Sequence, residues 1–497
     1  IIPIVLTGHA VGTKNAKRGT LSVELGQFNQ RDLRASGAQS WDGFAIDAAI
    51  DNQRTDNYRK HNAFKQDSFS GGAQWSIRGG RIGVRVDSAR QDADFPGSLT
   101  LAQFNADPRQ TKTPKDFGAV ATDRFASFAE YRIGSVDLAA ELSHRQKKVE
   151  SSYDFSGFTS AAKYDSEQTQ FSPRLRQLTQ FGNSVNELVA GIDLIKWYRT
   201  TTAGYSMADA SQKSKGYYAR DEIKWDNARL AVGARHETFE KDYVDPFSFT
   251  PAPEHTSQSQ NAWEVQGSFV AAPKVNLYAK AGQSYRVANS DENSYRSSVG
   301  ALKIQTSHDL ELGLTLGDSV QQVTARAFRH KLNNEIFFDP TIGYGTNTNL
   351  DPTKRQGFEL DGFANVGPAW RVNGHLQHVT AQFTEGKNAG HDMVLVPKNI
   401  VSARLSWLPN DGQSADIGAQ WVDSQRYGSD FTNSCSGRIP SFTTLDARYA
   451  RKVGAWELAV SGLNLADKQY FSNAYTCNGG LYPADGRQLK ISARYDF

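Results

Sequence analysis

The sequence predicts an all-β protein, a transmembrane up-and-down antiparallel β-barrel of about 22 strands with long extracellular loops and short periplasmic turns. Three observations carry that expectation. Apolar and polar residues alternate with a period of two from about Arg18 to the end, the pattern of a strand with one apolar and one polar face. The connections between these segments are alternately very short and long, as in an up-and-down barrel. Hydrophobic residues make up only 38 %, yet aromatics reach 11 %, with 19 Tyr, 27 Phe and 42 Gly, a balance that suits a large β protein better than a helical one. No run approaches the ~18 apolar residues that a transmembrane helix needs.

LSVELGQF (21–28) opens the series, with Leu21, Val23 and Leu25 on one face. GFAIDAAI (43–50), RIGVRVDS (81–88), SVDLAAELSH (135–144) and NELVAGIDLIKW (186–197) follow. Then come RLAVGARHE (229–237), KVNLYAKAG (274–282), DLELGLTLG (309–317) and AWELAVSGLNL (455–465). Each is about ten residues long, enough for a tilted strand to cross the hydrocarbon layer. The final strand alternates Leu489, Ile491, Ala493, Tyr495 and Phe497 with Gln488, Lys490, Ser492, Arg494 and Asp496.

Gly79-Gly80, Gly182-Asn183, Asp226-Asn227, Gly367-Pro368, Asn410-Asp411 and Val453-Gly454 are tight-turn sequences. Long loops are expected at 89–118, 149–164, 199–212, 239–257, 426–438 and 471–486. A soluble sandwich would need Greek-key crossings and a propeller a repeat of about 40 residues; neither pattern is present. With an even strand count both termini lie on the short-turn, periplasmic side. Trp75, Trp197, Tyr198, Trp225, Trp370, Trp407 and Trp421 fall near strand ends, where aromatic belts meet the two membrane interfaces.

The net charge is +3, from 56 basic and 53 acidic residues, which gives no reason to expect a nucleic-acid partner. The ten histidines are scattered and form no HExxH; His375 and His378 point to opposite faces of one strand. No nucleophile elbow or Walker A motif occurs, so neither an enzyme nor a cofactor is expected. Cys435 and Cys477 fall in loops on neighbouring hairpins in an oxidising compartment, where a disulfide is the natural reading and two free thiols the alternative.

Several stretches resemble the TonB-dependent outer-membrane receptors. SYRVANSDE (284–292) is similar to an Arg-x-Pro-Asn segment of that family, with Val-Ala where Ala-Pro is usual. SHDLELGL (307–314) with VTARAFRHKLNNEIFF (323–338), and NLDPTKRQGFELDGFANV (349–366), look like three of its consecutive strands. FTTLDARYARKVGAWELAVSGLNLADKQYF (442–471) and YPADGRQLKISARYDF (482–497) match its last strands. Tyr495 and Phe497 resemble the terminal signal read by the barrel-assembly machinery.

That resemblance implies a lumen filled by an N-terminal plug and driven by TonB. The expected division is a remnant or linker at 1–17 and the barrel at 18–497, with the plug supplied upstream of Ile1, by another chain, or not at all. The implied function is uptake of a ferric siderophore or similar metal chelate; the alternative is a plugless channel or an architectural subunit filled by another chain. Such a bulky ligand suits aromatic rings with a few cations at the outer mouth. Candidates are Tyr58, Arg59, Lys60 and His61; Trp197, Tyr198, Arg199 and Tyr205; Tyr427, Tyr475 and Tyr482; and Tyr243, Phe247 and Phe249. No metal site is expected in the protein itself, and outer-membrane lipids are the expected surroundings.

Overall fold

The computed structural model describes residues 17–155, 158–203, 209–244, 253–294, 296, 300–339, 342, 345–477 and 479–497. Twenty-two strands form one antiparallel sheet that closes on itself. The first strand, Lys17–Gly26, pairs on one side with Arg31–Trp41 and on the other with the last strand, Gln488–Asp496. Closure removes both sheet edges, so the main chain of every strand is satisfied within the wall.

Side-chain alternation sorts the wall into two surfaces. Leu21, Val23 and Leu25 of the first strand and Leu489, Ile491 and Phe497 at the last turn outward and stay exposed. The same outward band continues through Ile46, Ile50, Val86, Phe125, Leu142 and Leu312. An uncovered apolar surface of this extent is not stable in water, and a lipid layer is the solvent that matches it. Trp41, Phe44 and Trp75 stack side by side at one rim, with ring centroids 5.5 and 5.1 Å apart. Inward, arginines and carboxylates answer one another across neighbouring strands: Arg81–Glu130 at 2.6 Å, Arg124–Glu141 at 2.9 Å and Arg176–Glu187 at 2.5 Å.

The two ends differ as expected. At one end, hairpins turn in two residues, as at Gly182-Asn183 and Asp226-Asn227, where Gly182 and Asp226 adopt φ of 57° and 39°. That is the left-handed backbone of the hairpin turns matched to sheet twist. Long loops occupy the other end, and both described termini lie at the short-turn end.

The uniform strand length is corrected by the structure. The seven strands from Phe117–Ile133 to Pro253–Ala272 run 16–24 residues, well beyond the ~10 that cross a bilayer. The expected loops 149–164 and 199–212 are therefore largely strand, with hairpins up to Phe155 and from Phe158, and up to Ala203 and from Ala210. The period of two continues above the apolar band with polar residues on both faces, so loss of hydrophobicity was not loss of the strand.

Over the shorter side of the wall the loops fold into a cap with its own core. Leu99, Phe104, Tyr427, Ile439, Phe471 and Leu481 bury one another. Leu99 and Leu481 exchange two main-chain hydrogen bonds of 2.9 Å each. The helix Leu101–Ala106 is started by a capping box in which Thr100 Oγ1 accepts from the Gln103 N–H and Gln103 Oε1 accepts from the Thr100 N–H. Cys435 and Cys477 form the expected disulfide, their Cα atoms 5.8 Å apart.

Candidate functional site

The aromatic and basic residues at the long-loop end, where the sequence places the candidate ligand contacts, divide into scaffold and surface. Tyr58 and Arg59 belong to the scaffold. Arg59 donates to the carbonyls of Gly97 at 2.6 Å, Gln110 at 2.7 Å and Pro96 at 3.2 Å, so its guanidinium holds the 95–116 loop. Burial pulls its pKa below the ordinary guanidinium range. Tyr58 is buried beside Phe28, and the Arg109 guanidinium lies 5.3 Å and 5.5 Å from the two ring centroids. Burial raises the Tyr58 phenol pKa. Lys60 pairs with Asp107 at 3.3 Å. His61 is half-buried, its Nε2 2.8 Å from the Asp116 carbonyl oxygen.

Tyr427 is a core residue of the loop cap. It is 2 % exposed, packed with Leu99, Ile439, Phe471 and Leu481. Arg199 is also enclosed, paired with Asp291 and lying 5.2 Å from the Tyr164 ring centroid. Tyr198, one residue earlier, turns outward and exposed, on the same face as Leu194. Trp197 shares the inward face with Arg199, so it stands at the lumen and not in the outer belt. Tyr243 is buried, donating to Glu254 at 3.1 Å under the Arg296 guanidinium. Tyr205, Phe247 and Phe249 lie outside the described residues.

Tyr475 and Tyr482 do come together, on the two strands of a small hairpin, Phe471–Thr476 and Gly479–Pro483. Their rings meet edge to face, centroids 5.6 Å apart at 88°. Phe338, from the hairpin strand Ile336–Asp339, joins them 6.4 Å from Tyr475. Sequence reading missed Phe338, because it follows a strand that looked continuous through Asn334–Glu335. Phe338 is 45 % and Tyr482 42 % exposed, and Tyr475 between them is half-buried. A second pair, Phe95 and Tyr153, stacks at 5.9 Å and 12° between a loop and the end of the strand Val136–Phe155.

Below the mouth the lumen is polar and charge-balanced. Glu222 receives Arg220 at 2.5 Å, Arg229 at 2.6 Å and Lys224 at 3.1 Å. Arg235 bridges Asp193 at 2.7 Å and Glu237 at 2.8 Å. No group of three or more His, Cys, Asp or Glu side chains able to hold a metal ion occurs among the described residues. The arrangement can bind at an aromatic lip and pass polar cargo along a hydrated wall.

Comparison with known proteins agrees with this geometry. A family model described as "TonB dependent receptor-like, beta-barrel" matches residues 40–465. The chain is 20 % identical over 342 residues to the ferrioxamine receptor of Yersinia enterocolitica, covering 66 % of this chain and 47 % of that protein. It is 22 % identical over 230 residues to the catecholate siderophore receptor Fiu of Escherichia coli strain K12, covering 45 % of this chain and 30 % of that protein. The matches thus span less than half of these relatives. Among solved structures, the ferric citrate transporter FecA in its unliganded form superposes with a TM-score of 0.83 at 18 % identity, over 98 % of this chain and 79 % of that one. The siderophore receptor PiuA of Acinetobacter baumannii gives 0.82 at 15 %, over 98 % and 82 %. At those identities the structural likeness speaks to the fold.

Proposed function

The chain belongs to the TonB-dependent receptor β-barrel family of the outer membrane, and from that premise we propose that it is the barrel of a receptor that takes up a ferric siderophore or a similar metal chelate. The observation that carries this reading is the ring cluster at the extracellular mouth, in which exposed Phe338 and Tyr482 flank half-buried Tyr475. Aromatic faces bind flat or cationic parts of a bulky ligand without a full set of hydrogen bonds. Trp197 follows on the inward side, and the paired lumen wall offers polar surface without a large net field. Similarity to a ferrioxamine receptor and to a catecholate siderophore receptor supports the cargo class.

In this proposal the barrel has no catalytic role. A plug, carried upstream of Ile1 or on another chain, fills the lumen and makes the contact with TonB. Residues 1–17 act as the linker to it, and Tyr495 with Phe497 serve insertion by the barrel-assembly machinery.

The test is binding of ferric ferrioxamine and of a ferric catecholate to the purified full chain, followed by quenching of intrinsic fluorescence. Phe338→Ala with Tyr475→Ala is expected to weaken the chelate that binds by about tenfold or more, in line with aromatic anchors at binding sites. Unchanged affinity in that variant would overturn the assignment of the lip. Planar-bilayer conductance separates the accessory readings: a steady open pore blocked by an added plug supports the receptor barrel, whereas a pore indifferent to plug and chelate supports a channel.

A further inference from the structure

The wall steps down in height between two neighbouring strands, and the step leaves a sheet margin open. Strand Pro253–Ala272 pairs with Ala228–Val244 on one side from Pro253 to Phe269. On its other side, pairing with Val275–Arg286 stops where Trp263 lies opposite Gln283. Residues 254–262 thus rise above that neighbour with one edge unpaired. At the far margin of the tall wall, Val136–Phe155 also outreaches its neighbour, but a loop covers it. There the Asp154 N–H donates to Asp116 Oδ1 at 2.7 Å, and Phe95 stacks on Tyr153.

The main chain at the open margin can be assigned residue by residue. Val270 donates its N–H to Asn227, on the Ala228–Val244 side, at 2.8 Å. Successive residues of an antiparallel strand turn their main-chain groups to alternate neighbours, so His255, Ser257 and Ser259 turn theirs to the open side. Asn261 agrees with that parity, its carbonyl accepting from Gln283 Nε2 at 3.2 Å. Among the described residues, none bonds to the main chain of His255, Ser257 or Ser259 from the open side. The loop after Arg286 crosses the inner face instead of continuing the sheet. Lys241 Nζ donates to the Ala288 carbonyl, Arg296 pairs with Glu254 at 2.6 Å, and Gln258 Nε2 donates to the Leu302 carbonyl at 3.3 Å.

Open edges template pairing with another chain, and proteins usually blunt them with Lys, Pro or a bulge. The stretch EHTSQSQN (254–261) has no Lys and no Pro, keeps an unbroken register, and leaves His255, Ser257 and Ser259 exposed.

We propose that the margin His255–Asn261 docks an extended segment of another polypeptide, which adds a strand to the tall wall. The occupant follows from the pattern of main-chain groups. An N–H and a C=O recur together at every second residue, about 7 Å apart, and an extended main chain matches both in register. Height argues against a lipid: Trp263 and Val265 are the last outward apolar residues of this strand, and those above are polar. Ser257 and Ser259 favour Ser or Thr opposite them, and the docked segment carries no proline where it pairs.

The experiment uses the full chain in detergent and fluorescence anisotropy as readout. The probes are a fluorescein-labelled seven-residue peptide alternating Thr and Val, and the same peptide N-methylated at every amide. The unaltered chain is expected to bind the first about tenfold more tightly, because only the first can donate along the edge. Ser257→Pro is expected to weaken it about tenfold. That substitution removes an N–H pointing away from the sheet, where proline is tolerated, and heat-modifiable gel mobility shows the barrel intact. Ser257→Ala keeps the main chain and is expected to bind as the unaltered chain does. Equal binding of the two peptides by the unaltered chain, or binding of neither, would overturn the proposal whether or not the proline variant folds. A dimer of the unaltered chain that Ser257→Pro makes monomeric would place a second copy on the edge and overturn the separate partner.

Discussion

The tip of the Phe497 ring lies against Gly19, so that a Cβ built on Gly19 would meet it at 2.3 Å. The same two residues exchange main-chain hydrogen bonds, with the Gly19 N–H donating at 2.7 Å and the Phe497 N–H at 2.9 Å. The carboxyl-terminal residue therefore both pairs with the first strand and covers it from the lipid side.

Gly19→Val is expected to force the ring away and loosen closure by about 1–3 kcal/mol, the usual cost of overpacking. Unfolding of the reconstituted barrel in urea measures this. Phe497→Ala should largely cancel the effect of Gly19→Val, since the clash then has no partner. Additive losses in the double variant would show that the contact is not the cause.

The disulfide gives a second prediction. Cys435 and Cys477 close 42 residues, and the chain-entropy argument alone allows about 4 kcal/mol. The loops they join are already packed through Ile439, Phe471 and Leu481. Reduction, or Cys435→Ser with Cys477→Ser, should therefore speed amide exchange in 471–483 while leaving barrel strands unchanged. Parallel loss of protection in strand Phe442–Val453 would place the disulfide in the stability of the wall itself.

Much of the barrel is legible in sequence because the membrane enforces a strict period. Alternation alone assigns Leu489 to Phe497 to their faces, and residue type alone marks the tight turns at Gly182 and Asp226. The mouth obeys no such rule. Arg59 and Tyr427 look like ligand contacts by residue type, and residue type could not show that non-local packing buries both, Arg59 against three carbonyls of another loop and Tyr427 against Leu99 and Leu481. Phe338 was invisible for the converse reason: its exposure depends on a break at Asn334, where φ is 54°.

Acid provides a third prediction, at a periplasmic turn. Asp318 accepts from Lys274 Nζ at 2.6 Å and from the Val320 N–H at 2.8 Å. The Lys274 hydrogen bond first, and the turn amides next, bring its pKa down to about 2. A folded-state pKa below the unfolded one means that the contribution is present above the ordinary carboxylate range and is lost as pH falls through about 2. Carboxyl chemical shifts should place the midpoint there. A midpoint at about 3.9, as for a free aspartate, would refute the turn geometry.

Arg59 offers the sharpest separation of scaffold from binding surface. Its guanidinium is 5 % exposed as a residue and committed to Gly97, Pro96 and Gln110. Charged hydrogen bonds of this kind are worth about 1.5–3 kcal/mol each before overlap, so Arg59→Ala should cost the 95–116 loop roughly 3 kcal/mol. Arg59→Lys should recover little, because a single ammonium cannot reproduce the planar fork that reaches all three carbonyls. The checks are limited proteolysis and amide exchange over residues 96–112, made on the chain without any ligand. A scaffold role requires both to rise in the ligand-free protein. If instead the loop stays protected while chelate affinity falls, Arg59 acts on the ligand directly, and its three carbonyl contacts are incidental to that role.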